Sequence, residues 1–173
     1  LSDIRIPSGW GLEVGVLSEI HRNYNHNRLC QADIADNYDH KHQDLSFNND
    51  QGGLSKMSID ITKALFRKLA TQGFTFSNEM FRSIKATYYR IALDFVETYH
   101  NDAVMNGLTL DIHNEEKAVE LFASNIMKAG TSFLENPMET PFIPSWNRVT
   151  SAVPDILDRL LEAVEADTAE LLG

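Results

Sequence analysis

The chain has 173 residues, 43% of them apolar, and a formal net charge of −10 from 15 basic and 25 acidic residues. That length suits one domain or part of a larger one, with enough apolar side chains for a core. The acidic balance excludes a general electrostatic attraction to nucleic acid or to an anionic membrane surface, and no apolar run approaches the ~18 residues that a membrane helix needs.

The first residues, "LSDIRIPSGWG", open without a methionine, and residues upstream are expected. The spacing of Trp10, Val14, Leu17, Ile20 and Tyr24 predicts a helix over 8–24 with these side chains on one face. Glu13 lies on or beside that stripe. Two readings of it stand side by side: a helix-start carboxylate favoured by the macrodipole, or a binding group that a partner compensates.

"RLCQADIAD" (28–36) is short, partly alternating and bounded by Asn and Asp, which predicts a strand. Cys30 lies within it. As the single cysteine it forms no internal disulfide, so a reducing, cytoplasmic setting is expected, and its apolar neighbours predict that it is buried. A lone strand cannot satisfy its own backbone groups, a second sign that the chain is a piece of something larger. After it, "DNYDHKHQDLS" gathers Asp36, Asp39, His40, His42 and Asp44. Carboxylates suit a hard divalent ion, and imidazole suits a borderline one. On an extended backbone His40 and His42 point to the same side, whereas on a helix they diverge by about 200°. A polar loop with surface histidines is the bland alternative. Lys41, between them, is either a solvated lysine or, with Arg5, a contact for an anionic group such as phosphate.

Beyond a Gly/Asn-rich loop at 46–55 the sequence reads as helix. One helix is predicted over 55–72, with Met57, Ile61, Leu65 and Leu69 inward and Gly73 as terminator. A second runs over 77–106, with Ser77 as N-cap, Gly107 as terminator, and a stripe of Met80, Ile84, Tyr88, Ile91, Phe95 and Tyr99. Tyr88, Tyr89, Phe95 and Tyr99 are expected in the core. A third spans 114–134, with Asn114 near its start and Ala118, Leu121, Ile126, Ala129 and Phe133 inward. Pro137, Pro141 and Pro144 force an extended strap, and a last helix over 151–172 carries Leu157, Leu160, Leu161 and Val164 on its apolar side, with Pro154 in its first turn. His21, His100 and His113 read as surface residues. The predicted fold class is mainly α with a short β element, divided into a 1–45 piece that carries the chemistry and a 54–173 helical bundle. No P-loop, Cys-x-x-Cys pair or nucleophile elbow is present in the sequence.

"GWGLEVGVLSEI … RLCQADIADNYDHKHQDLS" resembles the second half of the catalytic domain of glucosyl-3-phosphoglycerate synthases, which are retaining glycosyltransferases of the GT-A α/β fold. "MSIDITKALFRKLA", "ATYYRIALDFVETY" and "ENPMETPFIPSWNRV" resemble that family's helical C-terminal extension. The resemblance implies that Glu13 accepts hydrogen bonds from donor-sugar hydroxyls and that Trp10 and Gly11 shape the sugar and acceptor pocket. It implies that His40 ligates a divalent metal, Mg2+ or Mn2+, that neutralises the leaving diphosphate. Lys41 and His42 would approach the acceptor's phosphate or carboxylate. Tyr38 and His42 stand where some members carry Arg and Asn, which leaves the acceptor open. The implied substrates are a nucleotide sugar and 3-phosphoglycerate, and the implied assembly is a homodimer. A nucleotide-binding half with an Asp-x-Asp motif is expected outside this chain, and the chain alone is expected not to transfer sugar. Two rival readings remain: a non-catalytic helical dimerisation module built on 54–173, and a small metal-dependent hydrolase using His40 and His42.

Overall fold

The computed structural model describes residues 6–34, 44–46, 49–138 and 142–172. Among these, eight regular elements follow one another: β1 (Ile6–Pro7), α1 (Leu12–Asn23), α2 (Gly53–Thr71), α3 (Asn78–Met105), α4 (Ile112–Glu135), β2 (Phe142–Ile143), α5 (Trp146–Ala152) and α6 (Ile156–Leu172). A single 3-10 turn, Gly9–Gly11, leads into α1, and another covers His26–Arg28. The architecture is helical, as expected.

The β component differs from expectation. The predicted strand over 28–36 does not form within the described residues. Arg28 closes the second 3-10 turn, whose cap Asn25 accepts the Asn27 N–H through its side chain at 2.9 Å. Residues 29–34 then run without regular structure and are exposed. With no neighbouring strand to pair with, the segment has no ladder to join. Cys30 is therefore exposed and not buried. The strand pairing present is elsewhere: β1 and β2 pair antiparallel, Ile6 opposite Ile143 and Pro7 opposite Phe142. Of the expected extended strap, Phe142–Ile143 is extended and returns the chain to the start of α1, Pro137 lies in a turn, and Pro141 lies outside the described residues.

The core lies where α2, α3 and α4 meet. Phe66, Phe81, Ile126, Ala129 and Phe133 are buried together, with Ile59, Ala70, Phe76, Ile84 and Tyr88 packed around them. The rings of Phe66 and Phe81 stand 4.8 Å apart, and Phe76 meets Phe133 edge-on at 5.6 Å. Beside this aromatic knot a polar tie crosses from α2 to α4. The fully buried Asn125 amide donates to the hydroxyl oxygens of Ser58 at 2.7 Å and Ser55 at 3.1 Å. That network satisfies polar groups that would otherwise be buried without partners.

The helix ends follow local chemistry. Ser77 caps α3 by accepting the Met80 N–H. Gly73 and Gly107 adopt φ of 94° and 69°, and the Leu108 N–H reaches back to the Ala103 carbonyl at 2.8 Å, a left-handed stop that closes the last turn of α3. At α4 the cap is Asp111, whose carboxylate accepts the Asn114 N–H. Asn114, expected near the cap, already lies in the first turn. The single helix predicted over 151–172 is two helices. Pro154 has no N–H to extend the ladder, so α5 ends at Ala152 and α6 begins at Ile156.

The apolar stripes are real, but several are not covered. On α2 the buried positions are Ser55, Phe66 and Arg67, while Leu65 is exposed. On α3, Phe81 is the buried residue, and Tyr89, Phe95 and Tyr99, expected in the core, are exposed. On α6 every residue from 157 to 171 is exposed. His100, expected at the surface, is half-buried, and its Nδ1 is shielded without a hydrogen-bond partner among the described residues.

Candidate functional site

The chemistry-bearing stretch around the Gly-Trp-Gly turn is built by close packing. Gly9 has φ of 73°, a left-handed conformation that costs a side-chain-bearing residue about 1 kcal/mol or more. A Cβ on Gly9 would stand 3.1 Å from Asp60 Oδ2 of α2. Gly11 is buried, and a Cβ there would stand 2.6 Å from the Ala64 Cβ. Gly15, one turn into α1, is pressed against the Pro7 ring of β1. The missing side chains of Gly9 and Gly11 let the turn lie directly on α2, and that of Gly15 lets α1 lie on β1.

Trp10, between the two glycines, is turned outward and 40% exposed. Glu13 follows three positions later in the first turn of α1, also exposed. On a helical backbone that spacing makes them surface neighbours. Gly11 caps α1 without a side-chain hydrogen bond, and the Leu12 N–H that opens the helix is taken by the Gly9 carbonyl of the preceding 3-10 turn. An aromatic face next to an exposed carboxylate is able to hold a sugar: the ring covers its apolar C–H face, and the carboxylate accepts from its hydroxyls.

The platform is tied to the bundle by charge. Glu19 of α1 pairs with Lys68 of α2 and, at 2.9 Å, with Arg22. Burial by itself pushes the Glu19 carboxyl up. The hydrogen bonds and charges of Lys68 and Arg22 outweigh it and hold the group below its ordinary value. Lys56 and Asp60 pair at 2.7 Å beside Gly9. Between α1 and α2 a cleft of about 430 Å3 is lined by Leu17, His21, Arg22, Lys68 and Gln72 among others. This cleft was not singled out from sequence. Its signal was available in His21 and Arg22 at the end of α1, where cations favour the helix C-terminus.

Of the predicted site residues, the structure places Trp10, Gly11 and Glu13 on one turn. Gly11 faces α2 and not the open side. His40, Lys41 and His42 lie outside the described residues, as do Asp36 and Asp39. Asp44, at the end of that stretch, is described: its carbonyl accepts the Leu54 N–H at 3.0 Å, which fastens the segment to the start of α2. No cluster of three or more His, Cys, Asp or Glu suited to a metal occurs among the described residues. No helix among them is long and apolar enough to cross a membrane.

Comparison with known proteins agrees with the resemblance read from the sequence. The chain is 44% identical over 167 residues to the glucosyl-3-phosphoglycerate synthase of Persephonella marina, an alignment covering 96% of the chain and 41% of that protein. It is 41% identical over 170 residues to the enzyme of the same name from Methanococcoides burtonii, covering 97% of the chain and again 41% of the relative. The chain is a relative of the glucosyl-3-phosphoglycerate synthases. It spans about two fifths of the length of the curated relatives it matches. No protein-family model matches the chain, and no solved structure does.

Proposed function

We propose that this chain is the C-terminal part of a retaining, metal-dependent GT-A glycosyltransferase that moves glucose from a nucleotide sugar to 3-phosphoglycerate. The observation that carries the reading is identity of 44% sustained over 96% of the chain, since the match includes the Trp10–Glu13 turn as well as the helices. In this reading Glu13 accepts hydrogen bonds from the glucose hydroxyls, and Trp10 walls the pocket. Gly11 acts by letting the turn sit against α2. Lys41 and His42 meet the acid groups of the acceptor.

The stretch 36–44 offers imidazole and carboxylate donors, a set whose chemistry fits Mg2+ or Mn2+, with His40 as the ligand. When bound, the metal offsets negative charge on the departing diphosphate. The protein's own part is to hold sugar and acceptor in register and to keep fixed dipoles aimed at the developing charge. No strong general base is required of the described residues, because the leaving phosphate is itself able to take the acceptor proton.

The nucleotide-binding half lies outside these 173 residues in this reading, so the chain alone is inactive. The intact mass of the protein from its native source tests this first. A mass well above 19.5 kDa is expected, and a native mass at that value removes the transferase reading. Glucosyl transfer by the longer protein, with His40→Ala and Glu13→Ala as controls, then tests the reaction and the two assigned roles.

A further inference from the structure

Asp44 follows His42 and His40 closely in the chain, and it is fixed by a built joint. Its carbonyl accepts the Leu54 N–H at 3.0 Å. That N–H lies in the first turn of α2, where backbone donors find no partner within the helix. A carbonyl from upstream thus completes the helix start. The approach depends on Gly53. Its φ is 52°, which glycine adopts at no steric cost, and a Cβ on it would overlap the Asp44 carbonyl oxygen and the Ser46 hydroxyl.

The joint is also tied to α4. Asn49 closes the turn before α2: its side-chain oxygen accepts the Gln51 N–H at 3.0 Å, and its carbonyl accepts the Gly52 N–H at 3.2 Å. The next residue, Asp50, takes an ion pair from Lys128 of α4 at 2.5 Å. Ser55, fully buried in the first turn of α2, is held by the equally buried Asn125 of α4 at 3.1 Å. One exposed ionic link and one buried polar link therefore run from α4 to the two sides of the joint.

We propose that this joint positions the imidazole-bearing stretch, so that Gly53 and the Asp50–Lys128 pair set the affinity with which His40 takes its divalent ion. The proposal rests on the metal-dependent reading given above. Chain reach shows why the joint matters. Two residues of chain reach at most about 7 Å and four about 14 Å, the separations of His42 and His40 from Asp44. With the joint released, the nearest fixed point downstream is α2, and the reach from Leu54 to His40 is about 50 Å. Ordering that much more chain when the ion binds lowers the affinity. Gly53, Asp50 and Lys128 are positioning residues in this account. Through them the helical bundle acts on the metal chemistry of the preceding segment.

The experiment titrates the longer protein with Mn2+ and reads the free ion by electron paramagnetic resonance, with no substrate present. The parent is expected to bind Mn2+, and His40→Ala to lose that binding. Gly53→Ala and Asp50→Lys are each expected to weaken Mn2+ at least fivefold. Asp50 and Lys128 lie at the surface, with side chains 45% and 39% exposed, so that arm stands even where Gly53→Ala fails to fold. Combining Asp50→Lys with Lys128→Asp restores the pair in reverse and should bring the affinity back within twofold of the parent. Phe81→Leu loosens the core of the same bundle away from the joint, and should leave Mn2+ affinity within twofold. Hydrogen exchange at the Leu54 amide should quicken in Gly53→Ala. Unchanged affinity in Asp50→Lys, no recovery in the reversed pair, or an equal fall in Phe81→Leu overturns the proposal while the metal reading stands. A parent without His40-dependent Mn2+ binding overturns both.

Discussion

Gly11 lies so close to Ala64 that a Cβ on the glycine would stand 2.6 Å from the alanine's own Cβ. Both atoms belong to short, stiff side chains with no rotamer to escape into, so the turn would have to lift off α2. Gly11→Ala is expected to cost about 1–3 kcal/mol of stability and to move Trp10. Urea unfolding of the variant checks the first effect. In the longer protein, transfer activity should fall with it. A variant as stable as the parent would mean that α2 yields more easily than its packing implies.

Glu13 predicts the opposite combination. It is exposed at the start of α1, so Glu13→Gln should leave stability within about 0.5 kcal/mol. If it holds the sugar, transfer in the longer protein should drop by ten- to hundredfold, on the order of one charge-assisted hydrogen bond. Unchanged kinetics would return Glu13 to the role of a helix-start carboxylate. The pair Gly11→Ala and Glu13→Gln therefore separates the scaffold of the turn from its exposed chemistry.

The Glu19–Lys68 ion pair gives the α1–α2 contact a pH dependence. Glu19 titrates below its ordinary value of 4.5 in the folded protein. A carboxyl with a depressed folded value binds fewer protons when folded than when unfolded. Its contribution is thus complete above the unfolded value and is lost as pH falls through the folded one. Glu19→Gln should be less stable than the parent at pH 7 by about 1 kcal/mol, and the gap should close as pH is lowered below 4.5. Unfolding midpoints at pH 7 and pH 3 provide the comparison, at low salt to limit screening. A gap that persists in acid would assign the effect to packing instead of charge.

How much of this was legible in the sequence depended on the range of the interaction involved. Ser77, Gly73 and Gly107 were readable because a cap or a left-handed stop acts over a few residues. The three bundle helices were readable because periodicity is a local property. Periodicity says which face is apolar but not what covers it. Phe95, Tyr99 and Leu65 were therefore placed in a core that, within the described residues, α2, α3 and α4 do not close around them. The segment 28–34 failed for the same reason, since a strand depends on a partner that composition does not reveal. At the candidate site, Trp10 and Glu13 were legible as residue types. The burial of Gly11 on α2 was not, because Ala64 is far from it in sequence. The break at Pro154 was foreseeable in part: proline is tolerated in a first turn, but here the helix already under way at Trp146 had to end before it.

Asn125 is where the bundle commits polar groups to its interior. Its amide donates to both Ser55 and Ser58, and it is fully buried. Asn125→Ala would leave a small cavity and two serine hydroxyls short of a partner. A loss of about 2–3 kcal/mol is expected, read as a lower urea midpoint with an unchanged slope. Ser58→Ala removes only one acceptor and should cost about 1 kcal/mol. Equal losses from the two would place the importance of the network in Ser58 and not in the amide.

Gly130 of α4 faces the Phe81 ring of α3, and a Cβ on it would stand 2.5 Å from the ring edge. Two effects of Gly130→Ala oppose each other. In a helix interior alanine is favoured over glycine by about 0.5–1 kcal/mol. Against this, Phe81 is fully buried and held among Phe66 and Phe76. Overpacking of that kind costs about 1–3 kcal/mol, so the net change should be a loss of about 1–2 kcal/mol. Phe81→Leu in the same background frees space at the contact. The double variant should therefore be less unstable than the sum of the two single changes, with a coupling of at least 0.5 kcal/mol. Strict additivity would mean that α3 and α4 shift apart as rigid bodies and that the close approach at Gly130 is not what sets their spacing.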